Sequence, residues 1–88
     1  MYYRAFFVLE ERVFGLQFHP KAKKWFVVEI LEVSGDQVLP FPAWGLFENI
    51  RMADPKALAR SITSMYPDVV WFEAEDPYLA FQNAQLDA

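Results

Sequence analysis

Aromatic side chains dominate this 88-residue chain, in which sixteen residues are Phe, Tyr or Trp. Cysteine is absent, histidine occurs once and glycine three times. A domain of this length buries only about 60 to 65% of the surface of its unfolded chain. The 38 large apolar and aromatic residues therefore exceed what one small core holds. We expect one compact domain over residues 1–88, with surplus apolar surface that a partner covers.

The charged residues are unevenly distributed along the chain, whose formal net charge is −4. Residues 1–44 carry five acidic and five basic side chains, whereas residues 45–88 carry seven acidic and three basic ones. No basic residue follows Pro67. A protein that binds duplex DNA needs several cations facing phosphates, so this distribution argues against duplex DNA and favours a protein partner with a basic surface.

The sequence also bears on location in the cell. No stretch approaches the roughly 20 consecutive apolar residues that cross a bilayer. The residues after Met1 are typical of a strand rather than of a signal peptide, and the absence of cysteine excludes a disulfide framework. We therefore expect a cytoplasmic protein that does not contact a membrane.

Four segments in the first half have the composition and alternation of β-strands. They are Tyr2 to Leu9, Val13 to His19, Trp25 to Val33 and Val38 to Phe41. Their short polar connections predict an antiparallel meander. Pro40 and Pro42 place the fourth strand at a sheet edge and end it, because proline has no amide hydrogen to donate.

Two of the connections have informative turn residues. The segment from Glu10 to Arg12 is short enough for a hairpin, although it lacks the Asn-Gly or Asp-Gly signature. The segment from Ser34 to Gln37 contains Gly35, which is free to take a positive φ. Both turns would keep consecutive strands adjacent.

Helices are predicted in the second half. Apolar residues spaced three and four positions apart predict a first helix over Ala43 to Met52. Asp54-Pro55 then predicts an N-cap and first turn, and Pro67 ends that helix at Tyr66. Asp76-Pro77 repeats the start signal for a terminal helix, and the tail from about residue 84 to residue 88 is expected to fray.

The segment Val69 to Phe72 is apolar at every position, as in a buried central strand. The long connection before it allows a crossover that would lay it parallel to a strand of the meander. The predicted element order is β-β-β-β-α-α-β-α. The predicted class is an α+β fold with a mostly antiparallel sheet and helices packed on one face.

Residue types that commonly serve in catalysis or metal binding are scarce in this sequence. With no cysteine and only His19, an ordinary zinc site cannot be built, and the isolated glycines exclude a glycine-rich phosphate loop. His19 is interpreted as a surface residue at a strand end. We predict a protein that is not an enzyme, with no catalytic residues, no bound metal and no cofactor.

The function predicted on these grounds is noncatalytic docking onto a protein partner, as in inhibitor, antitoxin or immunity proteins. An aromatic patch would supply affinity and an acidic C-terminal region would attract a basic surface. The residues predicted to bind the partner are Phe41, Trp44, Glu73, Glu75 and Asp76. Because most soluble oligomers are symmetric pairs, a homodimer is also expected.

A first alternative is a module for single-stranded nucleic acid. The segment from Lys21 to Phe26 combines cations with aromatic rings, as such binding requires. The residues predicted for it are Lys21, Lys23, Lys24 and Trp25. The competing interpretation is a solvated loop followed by a core tryptophan.

A second alternative is a small metal-dependent hydrolase. Alternation along a strand end would place Glu73 and Glu75 on one face, roughly 7 Å apart. With another carboxylate, such as Glu29 or Glu32, the pair would suit a hydrated Mg²⁺. The competing interpretation is that these carboxylates simply face water.

Overall fold

The computed structural model describes residues 2–35, 37–43, 47 and 50–87. The strands in these ranges are β1 (Tyr2–Leu9), β2 (Arg12–His19), β3 (Lys24–Ser34), β4 (Gln37–Pro42), β5 (Arg51–Met52) and β6 (Val70–Glu73). The helices are α1 (Pro55–Met65) and α2 (Pro77–Asp87). These bounds confirm the four strands predicted in the first half and both helices predicted from aspartate-proline pairs.

The strands form one sheet in which every described pairing is antiparallel. The strand order is β4-β3-β2-β1-β6, and β5 pairs with β3 on the same side as β4. The predicted α+β fold with a mostly antiparallel sheet is therefore confirmed. In this part of the chain no helix has the length and apolar composition that crossing a membrane requires.

The position predicted for the last strand is wrong. β6 pairs antiparallel with β1 and lies at an edge of the sheet, not parallel and not in its centre. Since β2 already occupies one side of β1, the incoming strand takes the other side. β6 is apolar toward both faces because Trp71 packs into the core on one face and Phe72 into the core on the other.

The two helices cover opposite faces of the sheet, which corrects the prediction that they share one face. On the first face, which we call the α1 face, Leu58 and Ile62 of α1 pack with Phe7, Leu9, Phe14, Leu16, Trp25, Val27 and Phe47. On the second, the α2 face, Ala80 of α2 packs with Phe6, Val13, Val28 and Ile30. Alternate residues of each strand point to opposite faces, so β1, β2 and β3 contribute to both cores.

Local capping chemistry fixes the helix starts. The Asp54 carboxylate accepts a hydrogen bond from the Lys56 amide at 3.1 Å, and Pro55 occupies the first helical position. Asp76 accepts in the same way from the Leu79 amide at 2.9 Å, just before Pro77. These contacts satisfy amides that have no partner within the helix.

The sequence also predicted how each helix ends. α1 stops before Tyr66, whose amide donates to the Ile62 carbonyl at 2.8 Å, as the following proline predicts. The backbone of α2 is helical through Asp87. Fraying of the tail from about residue 84 stays a prediction.

The edge strand beside β3 is interrupted. β4 ends at Pro42 opposite Val28, and β5 begins at Arg51 opposite Phe26. Phe47, between them in the chain, packs into the core on the α1 face. Phe47 is helical, and its amide donates to the Ala43 carbonyl. The predicted helix over 43–52 is corrected at its end, because residues 51 and 52 pair with β3.

The first hairpin turn adopts an uncommon backbone conformation. Glu10 and Glu11, which join Leu9 to its partner Arg12, have φ values of 53° and 64°. Positive φ at both central positions is what a two-residue hairpin turn requires, and Asn-Gly usually supplies it. Gly35, which is free to take a positive φ, does not have one, and among the described residues left-handed backbone lies at Glu10, Glu11 and Lys23.

Gly15 is required by a close contact rather than by its dihedral angles. It pairs with Phe6 across β1 and β2, and a Cβ atom placed on it would lie 2.9 Å from two carbons of the Phe6 ring. Phe6 is itself buried and stacks on Phe72 with ring centroids 6.0 Å apart. The ring therefore has little room to withdraw.

We expect Gly15→Ala to lower the free energy of unfolding by about 1 to 3 kcal/mol, because the added methyl group overpacks the Phe6 contact. Gly35→Ala is the matched control, since a Cβ there meets no atom within 4 Å. Urea unfolding followed by tryptophan fluorescence measures both variants. Equal stability of the two variants would show that the Phe6 ring yields without cost.

We expect the double change Glu10→Asn with Glu11→Gly to raise the free energy of unfolding by about 1 to 2 kcal/mol, because both residues tolerate positive φ. The control is Glu10→Gln with Glu11→Gln, which removes the charges and keeps the strain. Thermal unfolding compares the two. If the glutamine pair stabilises equally, the gain is electrostatic and not conformational.

Candidate protein-docking surface

Four large apolar side chains lie exposed on the β3–β4 hairpin. Val33, 55% exposed, lies at the irregular register near the turn, and the other three lie in the regular part of the hairpin. Leu31, Leu39 and Phe41 are 39%, 44% and 49% exposed, respectively. Leu31 is directly opposite Leu39, and Phe41 is opposite Glu29. Alternation from the core residue Val27 places all three on the α1 face. We call Leu31, Leu39 and Phe41 the hairpin strip.

The hairpin strip is exposed because α1 does not reach it. α1 and Phe47 cover the α1 face where Trp25 and Val27 lie, toward the start of β3. The opposite face of the hairpin is packed, since Ile30 and Val38 belong to the core beneath α2. The strip is therefore an apolar surface on strands that are held rigidly from behind.

A salt bridge borders the strip. The Arg12 guanidinium donates to both Glu29 carboxylate oxygens, at 2.9 and 2.6 Å, and its carbon lies 5.4 Å from the centre of the Phe14 ring. The hydrogen bond to Glu29 raises the pKa of Arg12 above its ordinary value. Glu29, directly opposite Phe41, is thus compensated and leaves no unpaired charge beside the strip.

The outer edge of the hairpin resists strand addition. The Ala43 amide donates to the Val27 carbonyl at 3.1 Å, so the backbone groups of Phe41 and Leu39 also face β3. Pro40 and Pro42 then face outward and present no amide hydrogen. Among the outward positions of β4, only Val38 therefore presents a backbone donor to a strand that would pair at this edge.

The opposite edge of the sheet, at β6, has the reverse character. The Ala74 amide donates to the Arg4 carbonyl at 3.2 Å, so alternation turns the backbone groups of Trp71 and Glu73 away from β1. Neither residue is proline, and both therefore present an amide hydrogen outward. The two edges of the sheet thus differ in their capacity to pair with another strand.

The predicted acidic residues do not form one surface with Phe41. Glu73 ends β6, at the sheet edge opposite β4. Glu75 lies 3.7 Å from the Arg4 guanidinium, with both side chains well exposed. Only Asp76 approaches the hairpin: it lines a shallow cavity of about 410 Å³ together with Pro77, Tyr78, Val33, Gln37, Val38, Leu39 and Pro40.

Trp44, the remaining residue predicted to bind a partner, lies outside the described residues. Leu31 and Leu39 were missed by the sequence reasoning. Their signal was present, because alternation in β3 places Leu31 on the face opposite Ile30. Recognising them as surface residues, however, required the length and position of α1.

Trp25, one of the residues predicted to bind single-stranded nucleic acid, is not placed for that role. Trp25 is only 9% exposed and packs on Phe18 in the core, with ring centroids 5.5 Å apart, so it cannot stack on a base. The competing interpretation, a solvated loop followed by a core tryptophan, is confirmed. Lys21, Lys23 and Lys24 are exposed.

The predicted metal site is not assembled. β6 ends at Glu73, so strand alternation does not extend to Glu75. Glu29 is bound by Arg12, and β3, which carries Glu29 and Glu32, is separated from β6 by β2 and β1. Across residues 2–35, 37–43, 47 and 50–87, no three acidic or histidine side chains are grouped closely enough to hold a metal ion.

His19 is exposed at the end of β2, as expected. Its Nδ1 accepts a hydrogen bond from the Ala22 amide at 3.1 Å, which orients the ring. Comparison with protein-family models, with curated proteins and with solved structures found no match to this chain.

Proposed function

We propose that this chain is a noncatalytic interaction domain that docks onto a protein partner through the hairpin strip. The observation that carries the proposal is the contiguity of Leu31, Leu39 and Phe41, which project from one face of two paired strands. Apolar side chains of this kind stabilise an interface when a partner covers them, because their area leaves water and strands that are already ordered lose little conformational freedom on docking.

The surroundings of the strip support a protein partner. The Arg12–Glu29 salt bridge on one side and Asp76 near Leu39 on the other supply polar groups around an apolar centre. An apolar centre with a polar rim is the usual anatomy of an interface.

Charge favours a partner with a basic surface. The chain carries a net charge of −4, and residues 68–88 contain acidic side chains but no basic ones. Such a field accelerates association with a basic protein and weakens with added salt. Inhibitor, antitoxin or immunity activity in the cytoplasm fits this mode of action, and so does a homodimer in which a second copy covers the strip.

We expect Leu39→Thr with Phe41→Thr to weaken partner binding by about 10- to 100-fold, because two apolar anchors are lost while strand propensity is retained. The measurement is retention of the partner by tagged protein, followed by titration calorimetry with the purified partner. Val70→Thr is the matched control, since Val70 is 63% exposed on β6, away from the strip.

The outcomes separate the possible occupants of the strip. Loss of the partner in the double variant and retention in Val70→Thr would support docking through the strip. Equal retention by both variants would contradict it. Sedimentation of the protein alone tests the homodimer, since a mass of twice 10.3 kDa that the double variant reduces to one chain would assign the strip to a second copy.

A further inference from the structure

A pocket opens where the edge strand is interrupted. β4 stops opposite Val28, β5 starts opposite Phe26, and the Ala43 amide donates to the intervening Val27 carbonyl. The pocket at this gap has a volume of about 370 Å³. Small-molecule sites typically begin at roughly 300 Å³, so a ligand of modest size fits.

Apolar groups form most of the wall of this pocket. They are Ala22, Phe26, Val27, Pro42, Ala43 and Phe47. Phe47 is only 4% exposed, and rings of the core contact it on several sides. Its ring centroid lies 5.7 Å from that of Phe7, 5.4 Å from that of Phe14 and 5.3 Å from that of Tyr66. This part of the wall is therefore fixed before any ligand arrives.

Cationic and polar groups surround the Phe26 ring. Lys24 lies two residues before Phe26 on the same strand, so the two side chains share a face of the sheet. Arg51 is directly opposite Phe26 on β5, and His19 is directly opposite Lys24 on β2. The His19 ring lies 6.3 Å from the Phe26 ring, centroid to centroid.

The charge of this pocket is opposite to that of the chain as a whole. All described residues that line it are neutral or basic, although the chain carries a net charge of −4. The ion pairs found among the described residues join Arg4 to Glu75 and Arg12 to Glu29, and neither involves Lys24 or Arg51. Both cations are exposed and available to an anion.

We infer that this pocket binds a small molecule that combines a planar aromatic ring with an anionic group, phosphate or carboxylate. The ring would lie against Phe26 on the α2 face of the sheet, where an aromatic contact is favourable, and Phe47, in the core on the α1 face, would close the pocket from behind. The anionic group would lie at the rim, where Arg51 and Lys24 donate charge-assisted hydrogen bonds. His19 contributes a further donor, because its Nδ1 accepts from the Ala22 amide and the proton of the neutral ring is then on Nε2.

This ligand is distinct from the protein partner proposed above. The hairpin strip is an exposed apolar surface, whereas the pocket is concave and basic. A single strand of nucleic acid would share the ring-plus-phosphate chemistry, but it needs platforms for successive bases, and with Trp25 buried the basic segment offers only Phe26. The inference therefore commits to a small molecule.

The test uses phenyl phosphate as the probe, with inorganic phosphate and phenol as its two halves. We expect phenyl phosphate to give saturable shifts of the amide resonances of Lys24, Phe26, Ala43 and Arg51 in ¹⁵N-labelled protein. Its affinity should exceed that of either half, because the pocket contacts both parts. Absence of saturable shifts, or equal binding of inorganic phosphate alone, would overturn the inference.

Charge-removing variants locate the binding. We expect Lys24→Gln and Arg51→Gln each to weaken phenyl phosphate binding about 10-fold, since each removes a charge-assisted hydrogen bond. Lys21→Gln and Arg60→Gln are matched controls that remove the same charge from exposed residues outside the pocket, and binding should change less than about 2-fold. Thermal unfolding verifies that all four variants fold.

Two further outcomes would also overturn the inference. The first is an equal loss of affinity in Lys21→Gln and Lys24→Gln, which would mean that phenyl phosphate responds only to the overall charge of the loop. The second is binding of a thymidine oligonucleotide without binding of phenyl phosphate. That result would assign the basic segment to single-stranded nucleic acid instead.

Discussion

A thin sheet with two apolar faces is the constraint on which the rest of this structure depends. β1, β2 and β3 contribute aromatic or branched side chains to both faces, and each of the two helices described, 11 residues long, covers part of one face. A helix of that length spans about 16 Å, whereas five paired strands span about 19 Å between the axes of the outermost strands. The surface that remains on the α1 face is the hairpin strip.

Phe47, which follows β4 and precedes β5 in the chain, is a third cover. Its ring lies on the α1 face and contacts Phe7, Phe14 and Tyr66. The edge strand is interrupted between β4 and β5, and the interruption is the mouth of the basic pocket. Phe47 therefore belongs both to the core on the α1 face and to the wall of the pocket.

Local signals in the sequence predicted most of the elements. Alternation located β1 to β4, and Asp54-Pro55 and Asp76-Pro77 located the helix starts. Relations between elements were harder to predict. An apolar segment such as Val70 to Phe72 fits a central strand equally well as an edge strand between two covered faces. The side on which each helix packs depends on the path of the chain, which periodicity does not encode.

In the candidate site, too, local signals were predicted from the sequence and relations between elements were not. Phe41 was identified from its neighbouring prolines, while Leu31 and Leu39 became recognisable only once strand pairing and the reach of α1 were known. The pocket was not predicted from the sequence, for a similar reason. β5 has two residues, too few for any periodic signal, yet it is β5 that places Arg51 opposite Phe26.

The asymmetry between the two sheet edges limits how copies of this protein could join. Along β4 the outward positions are Val38, Pro40 and Pro42, of which only Val38 has an amide hydrogen, whereas on β6 the outward amides of Trp71 and Glu73 are both able to donate. A fibril that grows by strand pairing needs two competent edges on every molecule, one for each neighbour. The β4 edge is the weaker of the two, because two of its three outward positions lack a donor. The prolines of β4 therefore limit the extension of this sheet by strand pairing.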